Sequence, residues 1–167
     1  SGPPGFTGAP ELRKALPSLL FFTDPARTPD PEAVARRLPR GAGIVFRHFG
    51  APDAEAGARR LLAIARRRGL LLLIGQDAAL AARIGAHGVH LPQRLAHRAG
   101  PLRRARPGWL ITAAAHDPAA ARAPGAHAVV VSPALPSRSP SAGRPLGPVR
   151  LAALARAAGR PVMVWGE

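Results

Sequence analysis

The sequence contains no cysteine and no tyrosine, only 4% aromatic residues, and 9 acidic side chains against 24 basic ones in 167 residues. Without cysteine there is no disulfide framework, no thiolate metal site and no cysteine nucleophile. The longest purely aliphatic run, residues 70–74, falls far short of the roughly 20 residues a membrane span needs, so no membrane partner is expected. No basic-then-apolar segment of secretory type opens the chain, and a cytoplasmic setting is expected. Apolar residues make up 47% of the chain, enough for a packed core rather than wholesale disorder. One domain is the expectation at this length.

The net charge of +15 is carried almost entirely by arginine, since Lys14 is the only lysine. Such a balance raises the possibility of a polyanion partner, but its distribution argues against nucleic acid. Arg36, Arg37, Arg59, Arg60, Arg66, Arg67, Arg68, Arg103, Arg104 and Arg106 fall in small clusters among alanine and leucine. That pattern fits solvated helix faces. The interleaved aromatics on which single strands stack are missing.

Residues 1–10 are rich in glycine and proline and are expected to form a flexible arm, with residues 11–167 as one domain. From there two textures alternate. Aliphatic runs at 19–23, 43–49, 70–74, 88–91, 110–115, 128–131 and 161–165 read as buried strands. Ala/Arg/Leu stretches at 31–38, 54–68, 78–84, 95–106, 118–123 and 148–158 read as helices. Asp30 before Pro31 and Asp117 before Pro118 have the form of an N-cap followed by proline in the first turn. Gly69 and Gly159 stand where C-terminal caps belong. Continuous apolar strands alternating with helices indicate a parallel sheet covered on both faces.

An internal repeat sharpens this. Gly41-Ala42-Gly43-Ile44-Val45, Gly85-Ala86-His87-Gly88-Val89 and Gly125-Ala126-His127-Ala128-Val129 each read as a helix exit, a tight turn and a buried strand. Recurrence at that period suits a (β/α) barrel. The expected fold is therefore a TIM-type (β/α)8 barrel with seven strands in this chain and the eighth βα unit absent from it. Edges left apolar by that absence are ones a homodimer or the N-terminal arm could cover. A doubly wound sheet is the alternative, but no G-x-G-x-x-G follows a strand, so a dinucleotide site lacks support.

In such a barrel function gathers at the C-terminal strand ends. Those ends carry Asp24, Arg47-His48, Gly75-Gln76-Asp77, His90-Leu91-Pro92-Gln93, His116-Asp117, Ser132-Pro133, Ser137-Arg138-Ser139 and Gly166-Glu167. Arg47 would present a fork of donors to a phosphate or carboxylate, or pair with a rim acid such as Asp24. His90 and His116 are open to acid–base work or to a hydrogen-bonded structural role. His48, His90 and His116 could in principle hold a metal, although no short histidine spacing supports it. His87 and His127 precede strands and read as structural, and His97 as a surface residue. The loop from Ser132 onward is rich in hydroxyls, with Arg138 and Arg144 among them, and could wrap a phosphate or be a simple connection.

Taken together these residues resemble the thiamine phosphate synthase/TenI superfamily. Gly85-Ala86-His87-Gly88-Val89-His90-Leu91-Pro92-Gln93 is similar to its G-A-D-G-V-H-L-G-Q stretch. Ser132-Pro133 through Ser139, followed by Pro145-Leu146-Gly147, resembles its G-P-x-F-x-T-x-T-K…L-G loop. Phe46-Arg47 matches its Q-L-R-x-K strand end, Ala115-His116 its S-x-H, and Pro161 to Gly166 the strand leading to its G-G-I turn. The resemblance implies a (β/α)8 barrel that joins hydroxymethylpyrimidine diphosphate to thiazole phosphate, with Mg2+ on the diphosphate. It implies Arg47, Gln93 and His116 as catalytic residues. Arg47, His90, Gln93, Ser132, Ser137, Arg138, Ser139 and Gly166 would bind the phosphorylated pyrimidine and thiazole ligands, with Asp77 as metal ligand. The departures are as informative. Phe49 holds the family's lysine position, Gly75-Gln76 replaces its Asn-Asp, and Arg94 and Leu95 stand where an acid follows H-L-G-Q. Pro140 replaces the loop lysine, Glu167 the second glycine of the phosphate turn, and Pro133 the histidine of the tautomerase branch. A transferase of thiamine biosynthesis is therefore expected if active. A catalytically impaired phosphate-ligand binder or regulator is the first alternative, and a basic polyanion-binding protein the second.

Overall fold

Asp30 starts the first helix as its sequence dictates: its side chain accepts the Ala33 N–H at 3.0 Å, and Pro31 occupies the first turn, where no N–H is required. The computed structural model describes residues 16–17, 19–117, 119–131 and, for its backbone, the strand 162–164. In chain order it shows β1 (Leu20–Phe22), α1 (Pro31–Ala35), β2 (Gly43–Phe46), α2 (Ala54–Arg68), β3 (Leu71–Gly75), α3 (Ala78–Ile84) and β4 (Gly88–Leu91). A 3-10 stretch (Gln93–Arg98) then runs into α4 (Ala99–Ala105), followed by β5 (Leu110–Ala115), a 3-10 turn (Ala120–Arg122), β6 (Ala128–Val131) and β7 (Val162–Val164). The expected arm at 1–10, the helix at 148–158 and Gly159 lie outside the described residues.

The strands pair in parallel, each with the next in chain order. Side chains alternate between two cores. One set, including Ile44, Leu72, Ile74, Val89, Ile111 and Val129, packs against the helices. The other, Phe22, Val45, Leu73 and Val130, packs inside the sheet's concave face. In a flat sheet β1 and β4 would stand about 14 Å apart, three interstrand spacings. Yet the Phe22 and His90 rings meet edge to face with centroids 5.1 Å apart, and Phe22 shares a cluster with Val130 of β6. The sheet is therefore curled toward a barrel.

The helix α2 shows why the arginine clusters are surface features. Ala58, Leu61, Leu62 and Ala65 are buried at helical spacing, while Arg59, Arg60, Arg66, Arg67 and Arg68 are exposed. Gly69 closes it in the left-handed conformation at φ 66°. The remaining clustered arginines, Arg36, Arg37, Arg103, Arg104 and Arg106, are exposed as well. Among the described residues no helix is long and apolar enough to cross a membrane.

Several expected boundaries shift for identifiable reasons. The strand expected over 43–49 ends at Phe46, because Phe49 takes φ 48° and the His48 carbonyl accepts the Ala51 N–H. The helix expected over 95–106 divides, and Pro101 falls in the first turn of α4, the one place a helix tolerates it. The helix expected over 118–123 is only a 3-10 turn, since Ala123 precedes Pro124 and is steered out of helical geometry.

At the N-terminal rim the repeat explains itself. The His87 N–H donates to the Leu72 carbonyl at 2.9 Å, and the Leu72 N–H returns a bond to His87 Nδ1 at 2.9 Å. His127 does the same with Ile111, at 2.8 Å and 3.0 Å. Each ring must be unprotonated at Nδ1 to accept. Burial first, then Arg66 for His87 and Arg103 for His127, hold both imidazoles below their ordinary pKa. The folded state thus binds fewer protons than the unfolded chain, so these clasps are fully present above the unfolded value of about 6.5 and are lost as pH falls below it. Melting temperature should decline from pH 7 toward pH 5, each group adding at most about 1.4 kcal/mol per pH unit. His87→Asn with His127→Asn, which keeps an acceptor but cannot titrate, should make that decline shallower in thermal melts across the same range, the remainder coming from the more deeply buried His90.

Candidate functional site

The C-terminal strand ends form a rim in which the ends from β1 to β5 are tied each to the next by side chains. From β1 to β2, the Arg47 N–H donates to Thr23 Oγ1 at 3.0 Å, its Nε to the Thr23 carbonyl at 2.8 Å, and its Nη2 lies 3.9 Å from Asp24 Oδ2. From β2 to β3, His48 Nδ1 accepts the Gly50 N–H at 2.9 Å. The ring proton of the neutral form is thereby fixed on Nε2, which faces Asp77 Oδ2 at 3.3 Å. From β3 to β4, Arg94 Nη2 donates to Gln76 Oε1 at 2.6 Å. From β4 to β5, Gln93 Nε2 donates to Asp117 Oδ2 at 3.1 Å while its Oε1 accepts the His116 N–H at 2.6 Å.

Arg47 is the most constrained cation of this rim. Its guanidinium lies 5.5 Å from the Phe22 ring centroid and 5.6 Å from that of Phe49, which is 74% exposed. Its stem crosses Gly75, where an added Cβ would stand 3.1 Å from Arg47 Cγ; the glycine at that position makes room for the arginine. Burial pulls its pKa below the ordinary value, Asp24 opposes this and Arg27 adds to it. Arginine has room to fall and remain cationic. It therefore unites the two options open in the sequence: it is paired with Asp24 and still lies at the mouth.

His90 sits below Arg47 in the concave core. It is buried, its Nδ1 lies 2.8 Å from Thr112 Oγ1, and burial followed by the nearby Arg47 charge pushes its pKa down to about 3. Of the roles open to it, proton exchange as an imidazolium at working pH is excluded; it is a neutral hydrogen-bonding group in the floor of the site. His116 is exposed at the end of β5, its backbone held by Gln93. Asp77 caps α3 through Oδ1, accepting the Leu80 N–H at 2.9 Å, and uses Oδ2 for His48. Ser132, Ser137, Arg138, Ser139 and Gly166 lie outside the described residues.

One residue of the site escapes a reading of the sequence, and one named there has a conformation and partner that only the structure shows. Thr112 is fully buried and is the partner of His90; the signal was a lone hydroxyl in an otherwise apolar strand. Gln76 is held at φ 66°, a left-handed conformation unusual for glutamine, and only the structure pairs it with Arg94. Thr112→Val keeps the shape but leaves His90 Nδ1 without its partner. It should lower unfolding free energy by about 1–3 kcal/mol, measured by urea denaturation at pH 7.

Comparison with known proteins completes the picture. The family model described as thiamine monophosphate synthase matches residues 19–167. A thiamine-phosphate synthase of Xylella fastidiosa is 38% identical over 93 residues, 51% of this chain and 40% of that protein. The thiamine biosynthesis bifunctional protein ThiM/ThiE of Symbiobacterium thermophilum is 34% identical over 169 residues, 98% of this chain and 35% of that protein. The chain thus spans 40% and 35% of the lengths of these two curated relatives. Among solved structures, thiamine phosphate pyrophosphorylase from Pyrococcus furiosus superposes with a TM-score of 0.74 at 24% identity, covering 93% of this chain and 77% of that one, a likeness of fold. With the family model spanning nearly all of the described sheet and its rim, the chain belongs to the thiamine monophosphate synthase family.

Proposed function

We propose that this chain is the barrel of a thiamine phosphate synthase-type protein. Its C-terminal rim would bind a pyrimidine diphosphate and a thiazole phosphate and join them. The observation that carries this reading is Arg47: a guanidinium fixed at the end of β2 by Thr23 and Asp24, lying across Gly75 at the mouth of the curled sheet. In the reaction, the bond from the pyrimidine methylene carbon to the diphosphate oxygen breaks and the diphosphate leaves with the electron pair. The thiazole nitrogen then forms the new carbon–nitrogen bond. Charge develops on the leaving oxygens, and Arg47 is placed to stabilise it. Gln93 positions the end of β5 with His116, and neutral His90 lines the floor without competing for the phosphate proton.

Ser132, Ser137, Arg138, Ser139 and Gly166 complete the phosphate pocket in this reading, which supposes a (β/α)8 barrel in a cytoplasmic setting. A second reading, a binder of the same ligands without turnover, is favoured by one observation: the strand-end acids Asp24, Asp77 and Asp117 are engaged in caps and braces rather than left open.

The test is product formation. The protein incubated with hydroxymethylpyrimidine diphosphate and thiazole phosphate should yield thiamine phosphate by chromatography. Arg47→Ala should weaken diphosphate binding roughly 10- to 100-fold, the loss of one charged hydrogen bond, with folding checked by thermal melt. Saturable binding of both ligands without product would favour the second reading, and no binding of either would remove both.

A further inference from the structure

The metal that the family resemblance implies does not fit the residues present. The three strand-end aspartates Asp24, Asp77 and Asp117 are already engaged. Asp24 accepts the Ala26 N–H at 2.8 Å and faces Arg47; Asp77 holds Leu80 N–H and His48; Asp117 holds Ala120 N–H at 2.7 Å and Gln93. Among the described residues no group of three or more His, Cys, Asp or Glu side chains could hold a metal ion. At the β3–β4 edge, where the resemblance places acids, Leu95 packs against the core and Gln76 gives its oxygen to a guanidinium. A divalent cation there would meet Arg94 rather than a carboxylate, and like charges repel.

The same substitutions create a different site. Arg94 is exposed and anchored at the end of β3 through Gln76, and Arg47 crosses the adjoining Gly75. Two guanidiniums therefore flank one strand end. Planar forks of this kind match phosphate oxygens two at a time and carry permanent charge. Resting on the synthase-type reading above, we propose that this rim binds a diphosphate by guanidinium charge alone. Arg94 and Arg47 supply what a divalent cation would otherwise bring.

Calorimetric titration with inorganic pyrophosphate separates the possibilities. In EDTA the full chain should bind pyrophosphate saturably, and replacing EDTA with Mg2+ should not tighten it. Arg94→Ala should weaken binding in EDTA at least tenfold and Arg94→Lys by less. Arg67→Ala, on the outer face of α2, should leave affinity unchanged. Binding that requires Mg2+ would overturn the proposal while leaving the phosphate-site reading standing. Unchanged affinity in Arg94→Ala, or an equal loss in Arg67→Ala, would also overturn it. Absence of pyrophosphate binding under either condition would remove both.

Discussion

The curling of a parallel sheet is the constraint from which the rest of this structure follows. Once β1 and β4 face each other closely enough for Phe22 to meet His90, inward side chains are sealed from water and strand ends are gathered into an arc. Sealing decides protonation: burial edge-on against Phe22, followed by the nearby Arg47 charge, pushes the His90 pKa down to about 3. Gathering decides chemistry, because side chains 18 to 29 positions apart in sequence become neighbours along the rim. From β1 to β5 each strand end is held against the next by the bonds from Thr23 through Arg47, His48, Asp77, Gln76, Arg94, Gln93 and Asp117.

A chain with 9 acids must share them among competing uses. At the rim Asp24, Asp77 and Asp117 satisfy backbone N–H groups at turns and helix starts. On the outside, Glu32 serves Arg60 and Arg36, and Glu55 serves Arg59 and Arg83. Exposed pairs of that kind contribute little, about 0–1 kcal/mol each. The capping aspartates matter more, since a lost cap costs roughly 0.5–2 kcal/mol. Most of the described acids are thus committed to local structure, and the shortage is felt where a cation would need them.

Much of the fold was legible because apolar runs and caps are local signals. The ranges 54–68, 78–84, 88–91, 110–115 and 128–131 read from the sequence coincide with α2, α3, β4, β5 and β6. The end of β2 was not legible: Ile44 to Phe49 looks like one apolar run broken by two polar residues, and only the left-handed turn at Phe49 and Gly50 stops it. The site divides the same way. Its members could be named from strand ends, and the structural reading of His87 and His127 holds. The pairing of Gln76 with Arg94 could not be read, because it depends on two side chains 18 positions apart meeting across β3 and β4. Nor could the low pKa of His90, which depends on burial inside the curled sheet and on the Arg47 charge rather than on its own neighbours in sequence.

Arginine in place of lysine and of acid has opposite consequences in different places. On the outer face of α2 a guanidinium is solvated, screened by salt and interchangeable with its neighbours. At the rim the same group is held: Arg47 by a carbonyl, a carboxylate and two rings, Arg94 by an amide oxygen. A held guanidinium loses little further side-chain freedom when an anion arrives, and the charge of half-buried Arg47 acts through a partly desolvated medium. The compositional bias is therefore neutral over most of the surface and chemically consequential at one strand end. There, an arginine and a glutamine stand at positions where the family resemblance places carboxylates.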